Sequence, residues 1–339
     1  MLILMLIFNM FLKYFILSTL IIFSLIPLFS YDLLMIWFFM EINNFSFICY
    51  MCMKMKTKKM IFLYYIIQVL ASLMLIFPLI INNFYLISQN LLILNFYLSL
   101  MMKLGIPPFH FWMIISSMFM SWEILFIFLS IQKIIPFYIL SLIEMKTLIL
   151  YFMILSSSYI SMMKMINLLN FKMLLTYSSI NQTSWMLLLI LFKNLFWLIY
   201  MLIYSMILFM ISIFMMYFKF TFNFNLNFSY NMNFNFICLM LLFNIASIPP
   251  LTFFLLKWFS IFIMMFNSKL FFIFILMMIN SFILIYIYIN MMYPMMFFIS
   301  FKSKLLNLIP LYSYNFLNSN NNLIFLFMSF FLSLFMILI

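Results

Sequence analysis

The sequence predicts an all-α integral membrane fold, and three observations carry that prediction. Hydrophobic residues fill 70% of the 339 positions and charged residues only 6%, whereas a soluble domain carries about 25% charged residues to coat its surface. Apolar runs of about 20 residues, the length at which a helix crosses a bilayer, recur along the whole chain with short connections between them. Two of these runs are unusually long and are interrupted by paired prolines. Such a break is tolerated in a spanning helix only where protein or a water-lined cavity satisfies the freed backbone groups.

About eleven spans follow from this pattern, near 8–29, 33–52, 60–81, 89–118, 122–141, 147–163, 170–191, 195–217, 234–265, 270–297 and 323–339. They form a single transmembrane domain over residues 1–339. The fourth span contains Lys103-Leu104-Gly105-Ile106-Pro107-Pro108-Phe109-His110, and the ninth contains Ala246-Ser247-Ile248-Pro249-Pro250 with Lys257 two turns further on. Interrupted helices at matching positions of two halves are the strongest sequence pointer to a transport site. The seventh span carries a polar stripe, Tyr177, Ser178, Asn181 and Gln182, and the third a smaller patch, Gln68, Ala71 and Ser72; either lines water or joins helices. The Asn-alternating tract 223–235 imitates a strand but reads as a loop, because an unpaired strand cannot sit in lipid.

The sixteen Lys are distributed unevenly around these spans. Lys54, Lys56, Lys58, Lys59, Lys164, Lys172, Lys219, Lys302 and Lys304 fall in connections on one side, and Lys146, Lys193 and Lys269 on the other. The positive-inside rule then places the N-terminus on the inner side. Scattered lysines of this kind do not form the clustered basic face that nucleic acid requires. Cys49, Cys52 and Cys238 give no disulfide framework. With 51 Phe and 39 Met against one Gly, two Ala and one Val, the composition favours AU-rich codons and follows from reading AUA as Met. No cleavable presequence is visible, so synthesis and insertion inside a mitochondrion are expected.

Few ionisable residues fall well inside spans: Glu41, Lys103, Lys133, Lys257 and His110. A charge at the bilayer centre costs about 2.5–3.5 kcal/mol on insertion scales and marks a functional position. Burial disfavours the charged form of either group and an opposite charge restores it, so a buried Lys with a movable carboxylate partner can hold or release a proton. His110 is either a relay member or a cap on the broken helix. Glu123 and Glu144 read as interfacial residues at helix ends. One histidine cannot supply paired haem ligands, and there is neither a phosphate-binding loop nor a cluster of metal ligands. No redox centre is expected on this chain.

The segments WFFMEINNFSF (37–47), QVLAS (68–72), KLGIPPFHFW (103–112), QKIIP (132–136), KMLLTYSSINQTSW (172–185) and SIPPLTFFLLKW (247–258) together resemble the antiporter-like membrane subunits of mitochondrial NADH dehydrogenase, respiratory complex I. That resemblance implies a bundle of two inverted five-helix repeats, here roughly 8–141 and 147–297, each with a broken helix, and a final helix 323–339. It implies proton transfer through Glu41, Lys103, Lys133 and Lys257, with His110 as a further relay candidate. It also implies an inner-mitochondrial-membrane location, a matrix-side N-terminus, and other membrane-arm subunits and lipid, including cardiolipin, as partners. NADH, FMN, Fe–S clusters and ubiquinone would be held by other subunits, with no cofactor or metal on this chain. After Trp112 the residues Met113-Ile114-Ile115-Ser116 depart from the family pattern, leaving the role of that segment open. Two other readings compete: a free-standing cation/proton antiporter of similar fold, and a structural or assembly subunit whose charges pin helices together.

Overall fold

A computed structural model describes residues 2–81, 89–143, 146–166, 168, 170–193, 195–217, 232–249, 251–265 and 271–306. Glu144, Lys219, Pro250, Lys269, most of the Asn-rich tract and the expected helix 323–339 lie outside the described residues. Among those described, the elements are helical throughout. They run α1 (Leu2–Leu25, continued by a 3-10 turn, Ile26–Phe29), α2 (Leu33–Lys54), α3 (Lys58–Ile81), α4 (Gln89–Leu104), α5 (Phe111–Phe119), α6 (Trp122–Leu129) and α7 (Ile131–Leu142). The second half continues with α8 (Thr147–Met165), α9 (Phe171–Leu191), α10 (Phe196–Tyr217), α11 (Met232–Ala246), α12 (Thr252–Met265) and α13 (Phe271–Leu306).

Seven segments among these residues are long and apolar enough to cross a membrane unaided, with α6 and α7 acting as one. The expected spans outside this set, among the described residues, are the pairs α4/α5 and α11/α12 and the helix α9. Neither broken pair contains a single helix long enough to span. In α9 the polar run Thr176–Ser184 dilutes the apolar character. That helix survives in lipid because it never meets lipid: of residues 171–190 only Met173 escapes full burial. Its hydroxyls bond back to the preceding turn, as in Thr176 to Met173 O (2.8 Å), Ser179 to Thr176 O (2.6 Å) and Thr183 to Ile180 O (2.6 Å), the usual way Ser and Thr are satisfied inside helices. The bundle is built around α9, with α5, α7, α8, α10 and α12 all packed against it.

Both expected breaks are present, and they share one backbone solution. In the first, Gly105 N bonds to Met102 O and Ile106 N to Met101 O; in the second, Ser247 N bonds to Asn244 O and Ile248 N to Phe243 O. These paired bonds are the Schellman closure of a helix, which needs a left-handed residue at its turning point. Gly105 has φ +66° and Ser247 φ +62°. A Cβ at Gly105 would lie 2.6 Å from Met113 Sδ and 3.3 Å from Met113 Cβ. Gly105→Ala therefore combines a left-handed penalty of about 1–2 kcal/mol with displacement of Met113. The expected outcome is a lower unfolding temperature in detergent, and an unchanged one would contradict this account of the break.

A third interruption, at Ser130, was not expected from the sequence. Ser130 has φ −113° and ψ −75°, and it separates α6 from α7. Pro136 sits inside α7, where it cannot donate to the carbonyl of Gln132 and crowds that turn. The Ser130 hydroxyl meanwhile donates to Phe126 O at 2.6 Å. At its far end, α13 continues past the expected 270–297 span, so Lys302 and Lys304 lie on a helix rather than in a connection.

Candidate functional site

Glu41 lies on α2 and Lys103 in the last turn of α4, 62 positions apart in sequence. Lys103 Nζ donates to Glu41 Oε1 at 3.1 Å, and the Asn44 amide approaches the same oxygen at 3.5 Å. Asn44 lies one turn from Glu41 on the same face of α2. The partners differ in exposure: the Lys103 side chain is 2% accessible and that of Glu41 29%. The ammonium is sealed inside, while the carboxylate reaches the outer surface of the bundle.

Beside this pair lies a small cavity lined by Asn43, Asn44, Gln68, Lys103, Gln132 and Lys133, with Tyr64, Trp112 and Met113 among its apolar walls. It brings together α2, α3, α4, α5 and α7, and makes Lys103 and Lys133 neighbours of one space. The segment after Trp112, whose role the sequence left open, is helix α5; its Met113 both lines this cavity and packs on Gly105.

Lys133 (4% exposed) and Lys257 (5% exposed) do not reach toward headgroups. Lys133 Nζ donates to Ser179 Oγ at 3.2 Å. Lys257 Nζ donates to Ser247 Oγ at 2.7 Å and lies 5.6 Å from the ring centre of Trp185. Among the described residues neither amine has a carboxylate within ion-pair distance, in contrast to Lys103. Each donates instead to a serine oxygen whose own hydrogen is bonded to a backbone carbonyl, of Thr176 and of Ala246 respectively. Ser179, Gln182 and Trp185 lie on one face of α9, so the two lysines address points about 9 Å apart along its axis.

Around this face, several buried polar atoms have no protein partner among the described residues: both amide atoms of Asn181, Gln182 Nε2, Trp185 Nε1 and Asn244 Nδ2. Near the first lysine pair the same holds for Asn43 Oδ1 and Gln132 Nε2. Tyr200 donates to Gln182 Oε1. Asn244 Oδ1 accepts from the Thr252 hydroxyl (2.8 Å) and Phe253 N (3.3 Å), capping α12 across the second break. His110 is buried at the first break, its Nδ1 3.3 Å from Pro108 O and its Nε2 without a partner. It does not contact Lys103 or Lys133.

Sequence reasoning missed three residues here. Ser179, next to Ser178 of the expected polar stripe, receives Lys133. Asn244 organises the second break. Lys172, expected in a connection, is buried, donates to Met120 O and stands 5.2 Å over the Trp122 ring. Its position four and seven residues before Thr176 and Ser179 was the available signal. Glu123, expected at a helix end, is at the start of α6, paired with Lys13 (3.2 Å) and Lys54 (3.3 Å) and bonded by Tyr50 (2.9 Å).

A helical bundle with two Pro-broken helix pairs and amines buried at both is an antiporter-like fold. The same fold occurs in a chain of respiratory complex I from Thermus thermophilus (TM-score 0.65, 16% identity, covering 82% of this chain and 69% of that one). It occurs also in a chain of the Mrp complex from Dietzia sp. DQ12-45-1b (TM-score 0.63, 13% identity, 78% and 55%). No family model matches the chain. By sequence, the chain is related to proteins named NADH-ubiquinone oxidoreductase chain 2. It is 30% identical to that of Artemia franciscana over 159 residues (47% of this chain, 49% of the relative). To those of Apis mellifera ligustica and Anopheles gambiae it is 31% identical over 163 residues and 32% over 186. The chain spans about half the length of the curated relatives it matches.

Proposed function

We propose that this chain is a core membrane-arm subunit of a proton-translocating NADH:ubiquinone oxidoreductase, and that it relays protons across the mitochondrial inner membrane. The observation that carries this reading is the shared cavity: Lys103, paired with Glu41, and a second buried amine, Lys133, line one small polar space inside the helical bundle. Electron transfer takes place on other subunits. A change of charge near Glu41 alters its hold on Lys103, and the altered field acts on Lys133 through the cavity. The proton then passes along the Ser179–Gln182–Trp185 face to Lys257. The unpartnered polar atoms beside that face support the route, because buried polar groups are satisfied by protein or by ordered water. Five helical segments in each half support the two inverted repeats, roughly 8–141 and 147–297, that the resemblance implies, since an odd number makes the second half enter from the opposite face.

Glu41 also supports a partner. A carboxylate with almost a third of its side chain exposed on the membrane flank is costly against lipid, and another membrane-arm subunit covers it in this reading. At the inner end, Lys54, Lys56, Lys58 and Lys59 are exposed together. With a matrix-side N-terminus they meet anionic headgroups, cardiolipin included, each worth about 1 kcal/mol at a charged leaflet.

Affinity purification from mitochondria tests the assignment. Recovery with a large NADH-oxidising assembly that acidifies one side of sealed vesicles supports it. Sodium-dependent exchange by the chain alone, with no such assembly, identifies a free-standing antiporter instead.

A further inference from the structure

The two breaks share a backbone motif but differ at its left-handed residue, and the difference has a chemical partner. Gly105 takes this conformation without a side chain to strain. Ser247 takes it with a Cβ, and so at a steric cost. Buried at the break, its hydroxyl donates to Ala246 O and accepts from Lys257 Nζ at 2.7 Å. We infer that Ser247 is a positioning residue that ties the proton on Lys257 to the backbone of the second break.

The coupling follows from donor and acceptor bookkeeping, and it rests on the relay reading above. A protonated Lys257 has hydrogens to donate and no lone pair. Ser247 must then accept from it and direct its own hydrogen to the Ala246 carbonyl. Once Lys257 has passed its proton on, Nζ carries a lone pair and can accept. The Ser247 hydrogen turns from Ala246 O to Nζ, and a carbonyl in the last turn of α11 loses its donor. The closure made by Ser247 N to Asn244 O and Ile248 N to Phe243 O is weakened at that moment. At the first break Lys103 precedes the turn and pairs with Glu41, so no equivalent link exists there.

The experiment uses the assembled complex in vesicles, scoring protons moved per NADH oxidised for S247A, S247G and K257M and for S247A combined with K257M. Removal of the hydroxyl is expected to lower coupling to the K257M value in both serine variants, and the double variant to fall no further. S247G at wild-type coupling would show that only backbone strain matters and would overturn the inference. Unchanged coupling in K257M overturns the relay reading itself, and this inference with it. Should the serine variants fail to assemble, amide hydrogen exchange at Ile248 in the K257M complex decides: altered exchange supports the link and wild-type exchange overturns it.

Discussion

Replacing Lys133 with Met is expected to leave assembly of the complex near normal while proton movement per NADH falls. Lys133 is 4% exposed and its one direct side-chain bond is to a serine hydroxyl. The change therefore removes a buried charge without stranding an opposite one, and exchange of a buried ionic group for an apolar one of similar size is often neutral or stabilising. What disappears is the amine that lines the Lys103 cavity and bonds to the α9 face. Loss of a positioned acid or base slows proton transfer by about 10²–10⁴-fold, which abolishes transfer through this chain on the turnover timescale. A pH-sensitive dye in sealed vesicles, read against NADH consumption, measures the result. Wild-type pumping in an assembled variant would remove Lys133 from the route.

The second large effect is expected at Glu41→Ala, this time on stability. It leaves the Lys103 ammonium, 2% exposed, without its carboxylate, and the Asn44 amide is a donor that cannot replace it. Breaking a buried pair from one side costs about 3–5 kcal/mol, a large fraction of the stability of an ordinary fold. The yield of assembled complex should drop sharply. Adding Lys103→Met should recover much of that yield and none of the pumping. Equal yields for the single and double variants would mean that the pair contributes no coupling energy.

Much of the fold was legible because lipid imposes simple rules. Apolar length fixed the crossings, and the Pro-Pro pairs located both breaks. The interruption at Ser130 was hidden because no Gly or Pro marks it; the nearest proline, Pro136, lies more than a turn downstream. The lysines and Glu41 could be named because charges are so rare within spans. Their serine partners could not, because which residue faces a lysine across two helices depends on packing that 3.6-residue periodicity does not carry; the polar stripe included Ser178 and passed over Ser179. Asn244 escaped notice because its role is to bond across a break, and the separation of acceptor from donor there depends on the turn rather than on helical spacing. Lys172 was assigned to water because a lysine at the start of a span usually snorkels; the carbonyl of Met120 and the Trp122 ring draw it inward instead.

The chain holds a single glycine among its 339 residues, and it stands where φ is +66° and a methyl group would strike Met113. The matching turn of the other half holds a serine at φ +62°. One turn thus has no room for a side chain, whereas the other tolerates a strained backbone and sets a hydroxyl against an amine, so two copies of one motif differ in which of them can report on a neighbouring charge.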